Sequence, residues 1–209
     1  NWANEVYKPT YITQHTLNLT GGSEVGRYLV SFDYLDQPGL VKNTEYQRYS
    51  YRVNTDLNIG KMLKVSSDVT YRHVDRLWPE SLGSVQYDVW SMQPTSPVRY
   101  ENGDYRLDKQ NRNAISLMDL DVVGEDRYNM DVVYGQVKAD FEPIKDLVFT
   151  GMASLNGSWD RRKIHYKNYK YYNETGELVT QRNNPNSVKD SRNNSYQMTL
   201  RFLANYKKI

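Results

Sequence analysis

The chain has 209 residues, no cysteine and a formal net charge of +2. The near-neutral balance gives no electrostatic footprint for nucleic acid, and the missing cysteines exclude disulfide scaffolds and thiolate metal sites. Mean hydropathy is −0.82 and no apolar run approaches the roughly 18 residues of a membrane helix, yet a transmembrane barrel stays open because its strands are polar at every second position.

Nineteen tyrosines stand against four phenylalanines. Tyrosine suits strands, membrane interfaces and sugar-binding surfaces. No secretory leader opens the chain and Asn1 is not an initiator, so the sequence reads as a processed chain or an excised piece.

In chain order, residues 1–13 contain Pro9 and lack a period; they read as an extended lead-in. Residues 14–20 form a short strand with Leu17 and Leu19 on one side. Gly21-Gly22-Ser23-Glu24 is a tight-turn signal. In 26–35, Tyr28, Val30, Phe32 and Tyr34 alternate with Arg27, Ser31 and Asp33. A polar loop with a Pro-Gly turn spans 36–45. In 46–71, Tyr49, Tyr51, Val53, Thr55, Leu57 and Ile59 share one parity, and Leu63, Val65, Val69 and Tyr71 follow after a Gly60-Lys61 turn. The opposite parity carries Arg48, Arg52, Asp56, Lys64, Asp68 and Arg72. Strand side chains alternate faces, so this is a long hairpin with one apolar face and one charged face.

Residues 75–126 lack sustained alternation, far beyond usual loop length. Within them Leu82, Val85, Val89 and Met92 recur at helical spacing, which predicts a helix over 80–92 ended by Pro94 and Pro97. Residues 98–107 predict a small hairpin around Asn102-Gly103. Alternation resumes over 127–141, where Tyr128, Met130, Val132 and Tyr134 share one parity and Val137, Ala139 and Phe141 the other. The slip near Gly135 predicts a bulge, or a strand that rises clear of the membrane before the apolar band begins. Strands follow at 147–159 and 195–206. Between them, 160–194 is a second long polar loop with another hairpin at YYNETGELV. Lys207, Lys208 and Ile209 read as the start of a further turn.

The expected fold is therefore all-β: about seven long antiparallel strands forming part of a transmembrane β-barrel. Short connections alternate with long ones, the pattern of short periplasmic turns and long extracellular loops. An open sheet would leave edges in lipid, so the chain reads as a portion of a larger barrel. A soluble Tyr-rich β-sandwich that binds carbohydrate is the alternative; it would bury the apolar stripes between two sheets.

Residues 18–71 resemble the SusC/RagA family of TonB-linked outer-membrane transporters of Bacteroidetes. The resemblance rests on Gly21, Gly22, Ser23, Glu24, Arg27 and Tyr28, on the Tyr34-Leu35-Asp36-Gln37 run with Gly39, and on Tyr46, Arg48, Tyr49, Ser50, Arg52 and Asn54, followed by Leu63, Lys64 and Val65. Residues 93–105 are similar to the family's Pro-rich loop, and residues 1–19 to its lead-in from plug to barrel. The resemblance implies nutrient import, of oligosaccharide or peptide, across the bacterial outer membrane. It implies a SusD-like surface lipoprotein as lid and TonB as energy source through a plug region absent from this chain. The domain division that follows is a lead-in at 1–13 and barrel wall at 14–209.

No arrangement of nucleophile, base and acid stands out, so the chain reads as non-enzymatic. His15, His73 and His165 lack metal-ligand spacing. The acidic residues Asp119, Asp121, Glu125 and Asp126 offer oxygen ligands of the kind calcium takes, although a solvated loop or lid contact is the simpler reading; no cofactor is expected. Trp78, Tyr87, Trp90, Arg99, Tyr100, Tyr105 and Trp159 are the candidates for touching substrate or lid, since aromatic faces stack on sugar rings and arginine pairs with carboxylates. Loop packing and an interfacial aromatic girdle are the plainer roles for the same residues. Arg48, Arg52, Asp56, Lys64, Asp68 and Arg72 should face the lumen or a plug.

Overall fold

The computed structural model describes residues 2–207; Asn1, Lys208 and Ile209, and with them the expected final turn, lie outside the described residues. Seven strands form one antiparallel meander: β1 (Thr13–Gly22), β2 (Gly26–Asp36), β3 (Glu45–Ile59), β4 (Leu63–Pro79), β5 (Glu125–Ile144), β6 (Leu147–Tyr166) and, at the far edge, β9 (Ser187–Tyr206). Between β6 and β9, β7 (Tyr169–Tyr172) and β8 (Leu178–Arg182) form a separate hairpin. The sheet is open, with β1 and β9 at its edges.

The connections divide by end. Residues 23–25, 60–62 and 145–146 close the short-turn end, whereas 37–44, 80–124 and 167–186 close the other. Gly60 adopts φ 65°, which the two-step turn requires and which glycine takes without steric cost.

Cross-strand register aligns the apolar parity into rows. One runs Leu19, Val30, Val53, Val69, Gly135, Leu155, Met198. Towards the long-loop end, another runs His15, Tyr34, Tyr49, His73, Asp131, Trp159. Rings touch along this level: Tyr34 lies 5.0 Å from Tyr49, and Tyr49 lies 6.3 Å from His73. From Tyr49 to Ile59 the strand climbs roughly 23 Å, at about 3.3 Å per residue and a tilt of about 45°, close to the apolar band of an outer-membrane barrel.

These rows stay uncovered. Val53, Val69, Leu200 and Phe202 are 41%, 43%, 60% and 81% exposed. A sandwich would have packed them against a second sheet, and β7–β8 pairs elsewhere, so the soluble sandwich is excluded.

The dry core lies at the long-loop end instead. Helix α1 (Trp2–Val6), helix α2 (Leu82–Ser91), a 3-10 turn at Ser116–Met118 and the β7–β8 hairpin pack into a cap. Val85, Val89 and Met92 point inward from α2 at the predicted helical spacing, joined by Trp2, Val6, Leu117, Met118, Val122, Val123 and Tyr171. The 98–107 turn is present as an Arg99–Tyr105 bridge with Gly103 at φ 91°.

Three expectations need correction. The lead-in is helical over Trp2–Val6, not extended, because Trp2 and Val6 sit one turn apart and both bury in the cap. Gly135 carries no bulge: β5 keeps unbroken register with β4 through Phe141, and the shift falls at Phe141/Ile144. Tyr128, Met130, Val132 and Tyr134 therefore lie on the polar face, and the outward row continues through Val133 and Gly135. The long loops are also shorter than 75–126 and 160–194, because β4, β6 and β9 continue past the apolar band. Beyond that band neither face has to be apolar, so the alternation fades while the hydrogen-bond ladder goes on.

Candidate functional site: the inner face and the cavity beneath the cap

The polar face is built by the parity opposite the apolar rows. Arg48, Arg52 and Asp56 on β3, and Lys64, Asp68 and Arg72 on β4, share it through the β3–β4 register. Asp33 is its best-satisfied anion. It accepts from Gln14 Nε2 at 2.7 Å, Thr16 Oγ1 at 2.9 Å and Arg48 Nη2 at 2.9 Å. Asp56 accepts from Ser66 Oγ at 2.6 Å. Among the described residues Arg52, Lys64, Asp68 and Arg72 form no ion pair. Charges on a face that meets protein need partners, so this part of the wall suits an inner occupant bearing both signs.

Above it the face becomes aromatic. Arg76 packs on Trp78, 3.9 Å from its ring centre, and lies 5.1 Å from that of Tyr128. Its Nη2 reaches Asp126 at 3.3 Å, and Arg162 meets the same carboxylate through Nε at 2.9 Å and Nη2 at 2.6 Å.

Between this face and the cap lies a cavity of about 640 Å³, within the size range of small-ligand sites. Leu35, Tyr46, Arg48 and Trp78 form its wall, Leu40 and Val41 come from the β2–β3 loop, and Leu82, Val85 and Gln86 from α2. The loop is held in place by the α1 segment, since Lys8 N–H donates to the Leu40 carbonyl at 2.9 Å and Tyr7 bridges Val41. Asn43 Nδ2 ties it to the Met118 carbonyl at 2.8 Å.

The predicted contact residues separate into groups. Trp78 lines the cavity. Tyr87 and Trp90 project from α2, 69% and 74% exposed. Tyr100 is half-buried in the 98–107 turn, with Arg106 5.8 Å from its ring centre. Arg99 lies 3.6 Å from the Tyr105 ring centre. Tyr105 is 4% exposed and donates to Asp119 at 2.6 Å inside the cap. Burial first, then that bond, raises its phenol far above the usual value. Trp159 lies in the outward rows, with Leu155 and Gly157 on its own strand, on the face opposite the cavity.

The four clustered carboxylates do not converge. Asp119 takes Tyr105, Asp121 takes Lys167 Nζ at 2.7 Å, Glu125 takes Arg127 at 3.3 Å, and Asp126 takes the two arginines. The Lys167 ammonium holds Asp121 below the ordinary carboxylate range. Among the described residues no group of three or more His, Asp and Glu side chains comes together.

Sequence reasoning missed Asn113. It is 1% exposed and uses its whole amide. Nδ2 donates to the carbonyls of Val98 at 2.8 Å and Arg106 at 2.9 Å, while Oδ1 accepts from the N–H groups of Ile115 and Ser116, both at 3.0 Å. The available signal was Asn113-x-x-Ser116, an N-cap pattern before the apolar Leu117-Met118 pair.

Comparison with known proteins supports the resemblance drawn from the sequence. The chain is similar to TonB-dependent receptor P26 of Formosa agariphila, 30% identical over 106 residues, which covers 50% of this chain and 10% of that protein. It is similar to TonB-dependent receptor P3 of the same organism, 33% identical over 69 residues, covering 33% of the chain and 7% of the relative. The chain thus spans a tenth or less of the curated relatives it matches. No protein-family profile matches.

In fold it matches the RagAB peptide importer in the closed-closed state, with a TM-score of 0.77, 19% identity, and coverage of 100% of this chain and 23% of that one. A second RagAB peptide transporter structure gives 0.64 at 20% identity over 82% of this chain and 20% of that one. The open seven-stranded sheet is a partial barrel of this type, and the resemblance to TonB-linked barrels is borne out.

Proposed function

We propose that this chain is a wall-and-loop segment of an outer-membrane nutrient importer energised through TonB. One observation carries the reading: a continuous sheet leaves an apolar, girdled face uncovered and turns a charged face inward, beneath a folded cap. The chain does no chemistry; it encloses and positions. The long-loop end lies outside the cell and the short turns in the periplasm, as sequence similarity to TonB-dependent receptors supports.

Residues 1–13 serve as the link from an inner plug to the wall. They reach β1 at the long-loop end, so the link passes through the lumen. The plug sits on Arg48, Arg52, Asp56, Lys64, Asp68 and Arg72 and carries the coupling to TonB. A SusD-like lipoprotein covers the cap, with Tyr87 and Trp90 facing it. The substrate is an oligosaccharide or a peptide. The cavity lining favours peptide, because sugar hydroxyls held against Leu35, Leu40, Val41 and Leu82 would lose water without gaining partners.

The test uses the full-length protein. Cell fractionation should recover it in the outer membrane and only with detergent, with a surface lipoprotein co-purifying. Import of labelled peptides should then fall on Trp78→Ala, with labelled oligosaccharides as the second arm. Recovery from a soluble fraction without detergent overturns the reading. Oligosaccharide import that depends on Trp78 overturns the peptide preference alone.

A further inference from the structure

Above the girdle, the outward face changes character on three adjacent strands. On β6 the outward parity runs Leu155, Gly157, Trp159, Arg161, Lys163. On β9 it runs Met198, Tyr196, Asn194, Arg192, Asp190, and on β5 Val133, Asp131, Asn129, Arg127, Glu125. Each strand passes from apolar residues through the girdle to a cation within two or four residues, roughly 5–9 Å higher at this tilt. At the same level β2, β3 and β4 present Asp36, Gln47, Glu45, Asp75 and Leu77, so the cations are local to one side.

The register makes the cluster unusual. Arg127 stands directly opposite Lys163, and Arg161 directly opposite Arg192. Like charges facing each other across strands destabilise a sheet unless something compensates them. Two carboxylates do so in part. Asp190 takes Arg161 in a two-pronged contact, Nε at 3.2 Å and Nη2 at 2.5 Å, with Arg192 at 3.9 Å, and Glu125 takes Arg127 at 3.3 Å. Lys163 forms no ion pair among the described residues. Arg161, Arg192 and Arg127 keep 49%, 68% and 48% of their side-chain surface exposed. Four cations thus share two anions at one height, facing away from the lumen.

We infer that Arg127, Arg161, Lys163 and Arg192 form a binding site for the phosphate groups of an outer-leaflet glycolipid. Hydrocarbon-facing residues, then an aromatic belt, then guanidinium and ammonium groups is the order of polarity that a phosphorylated headgroup meets at a membrane surface, and arginine pairs bidentately with phosphate. The inference rests on the membrane reading of the sheet. Bound lipid would fasten this side of the wall at a fixed depth, beside the loops that carry the cap.

The test compares the full-length protein with an Arg161→Gln/Lys163→Gln/Arg192→Gln variant in nanodiscs. The discs hold phosphatidylcholine doped with diphosphorylated lipid A or with its dephosphorylated form, and native mass spectrometry reads the lipid retained. Wild type should retain the phosphorylated form and discriminate against the other. The triple variant should lose roughly 100-fold in retention, at about a factor of five for each cation near a charged lipid surface. The variant takes away the partners of Asp190, but that carboxylate is 35% exposed and like-charge repulsion goes with them, so folding should not suffer, and Arg161→Lys/Arg192→Lys should restore most of the binding. Equal retention of the two lipid forms overturns the inference, as does equal retention by wild type and triple variant. Inorganic phosphate alone displacing the lipid also overturns it and marks a free-phosphate site. Failure of the protein to enter nanodiscs at all would instead contradict the membrane reading.

Discussion

Arg162 of β6 grips Asp126 of β5 with two hydrogen bonds, and the carboxylate they hold is only 6% exposed. Arg76 of β4 shares the same oxygen at 3.3 Å, so one anion pins three strands where the wall meets the cap. Asp126→Ala leaves two guanidiniums without their partner. Removing one member of a fully buried pair costs about 3–5 kcal/mol; Arg162 is half exposed, so about 2–3 kcal/mol is expected here. Faster hydrogen exchange at the tops of β4, β5 and β6, with the lower strands unchanged, is the expected result.

Asn113 is the polar centre of the cap. Asn113→Ala strands the Arg106 carbonyl and the Ile115 and Ser116 N–H groups, while the Val98 carbonyl keeps the Arg106 N–H; each stranded group is worth about 1–3 kcal/mol when buried without a partner, partly relieved by water entering the gap. The 98–118 region should become susceptible to limited proteolysis while the barrel stays assembled. Asn113→Asp keeps the acceptor for the Ile115 and Ser116 N–H groups but turns an oxygen towards the Val98 and Arg106 carbonyls, so it should weaken the same region through those two contacts alone.

Two cap carboxylates titrate in opposite senses. Burial raises Asp88, with Arg112 acting against it. The folded state therefore bears an unfavourable charge at neutral pH, a penalty that is relieved as pH falls through the raised value and vanishes by its ordinary 3.8. Asp88→Asn should slow exchange of the α2 amides at pH 7, and the advantage should disappear towards pH 4. Burial alone would raise Asp108 as well, but bonds from the Arg112 side chain and from the backbone of Arg112 and Gln110 outweigh it and hold it low. Its stabilisation is present above 3.8 and is lost as pH falls through the lowered value, so Asp108→Asn should weaken the cap at pH 7 and match wild type in strong acid.

Neighbouring positions on one strand should respond oppositely to charge. Val69 sits in the mid-height outward row and Thr70 on the inner face. Val69→Arg should cost about 2–4 kcal/mol, the penalty for arginine near the bilayer midplane of a barrel, and Thr70→Arg, which meets Arg52 across the strands, no more than about 1 kcal/mol. Heat-modifiable mobility of the full-length protein in detergent gels would report the loss of folded barrel.

The wall was legible from alternation because the membrane imposes it. Val53, Val69, Leu200 and Phe202 are apolar where lipid would lie, and the parity names their face without any knowledge of partners. Above the girdle that constraint ends, which is why β4, β6 and β9 run on unseen past Tyr71, Trp159 and Tyr196. The Gly135 slip has the same origin. Tyr128, Met130, Val132 and Tyr134 are apolar on the inner side and mimic a change of phase. The cap helix α2 was readable from the spacing of Val85, Val89 and Met92. The cavity was not, since it joins Leu35 of β2, Leu40 of the β2–β3 loop, Trp78 of β4 and Leu82 of α2 through tertiary contacts alone. Tyr105 illustrates the same limit, because nothing in Tyr-Arg-Leu distinguishes a buried phenol from one that waits for a ligand.

The most direct test is which face of the sheet meets lipid. The segment has no native cysteine, so single spin labels can be placed by substitution at Val53, Val69, Leu155 and Met198, and at Thr70, Asn156 and Gln197, in the full-length protein in lipid vesicles. The first set should be accessible to dissolved oxygen and shielded from a water-soluble nickel chelate, and the second set should show the reverse or be shielded from both by a plug. Nickel access to the first set equal to that of the second, or shielding of the first set from both probes, would contradict a lipid-facing wall.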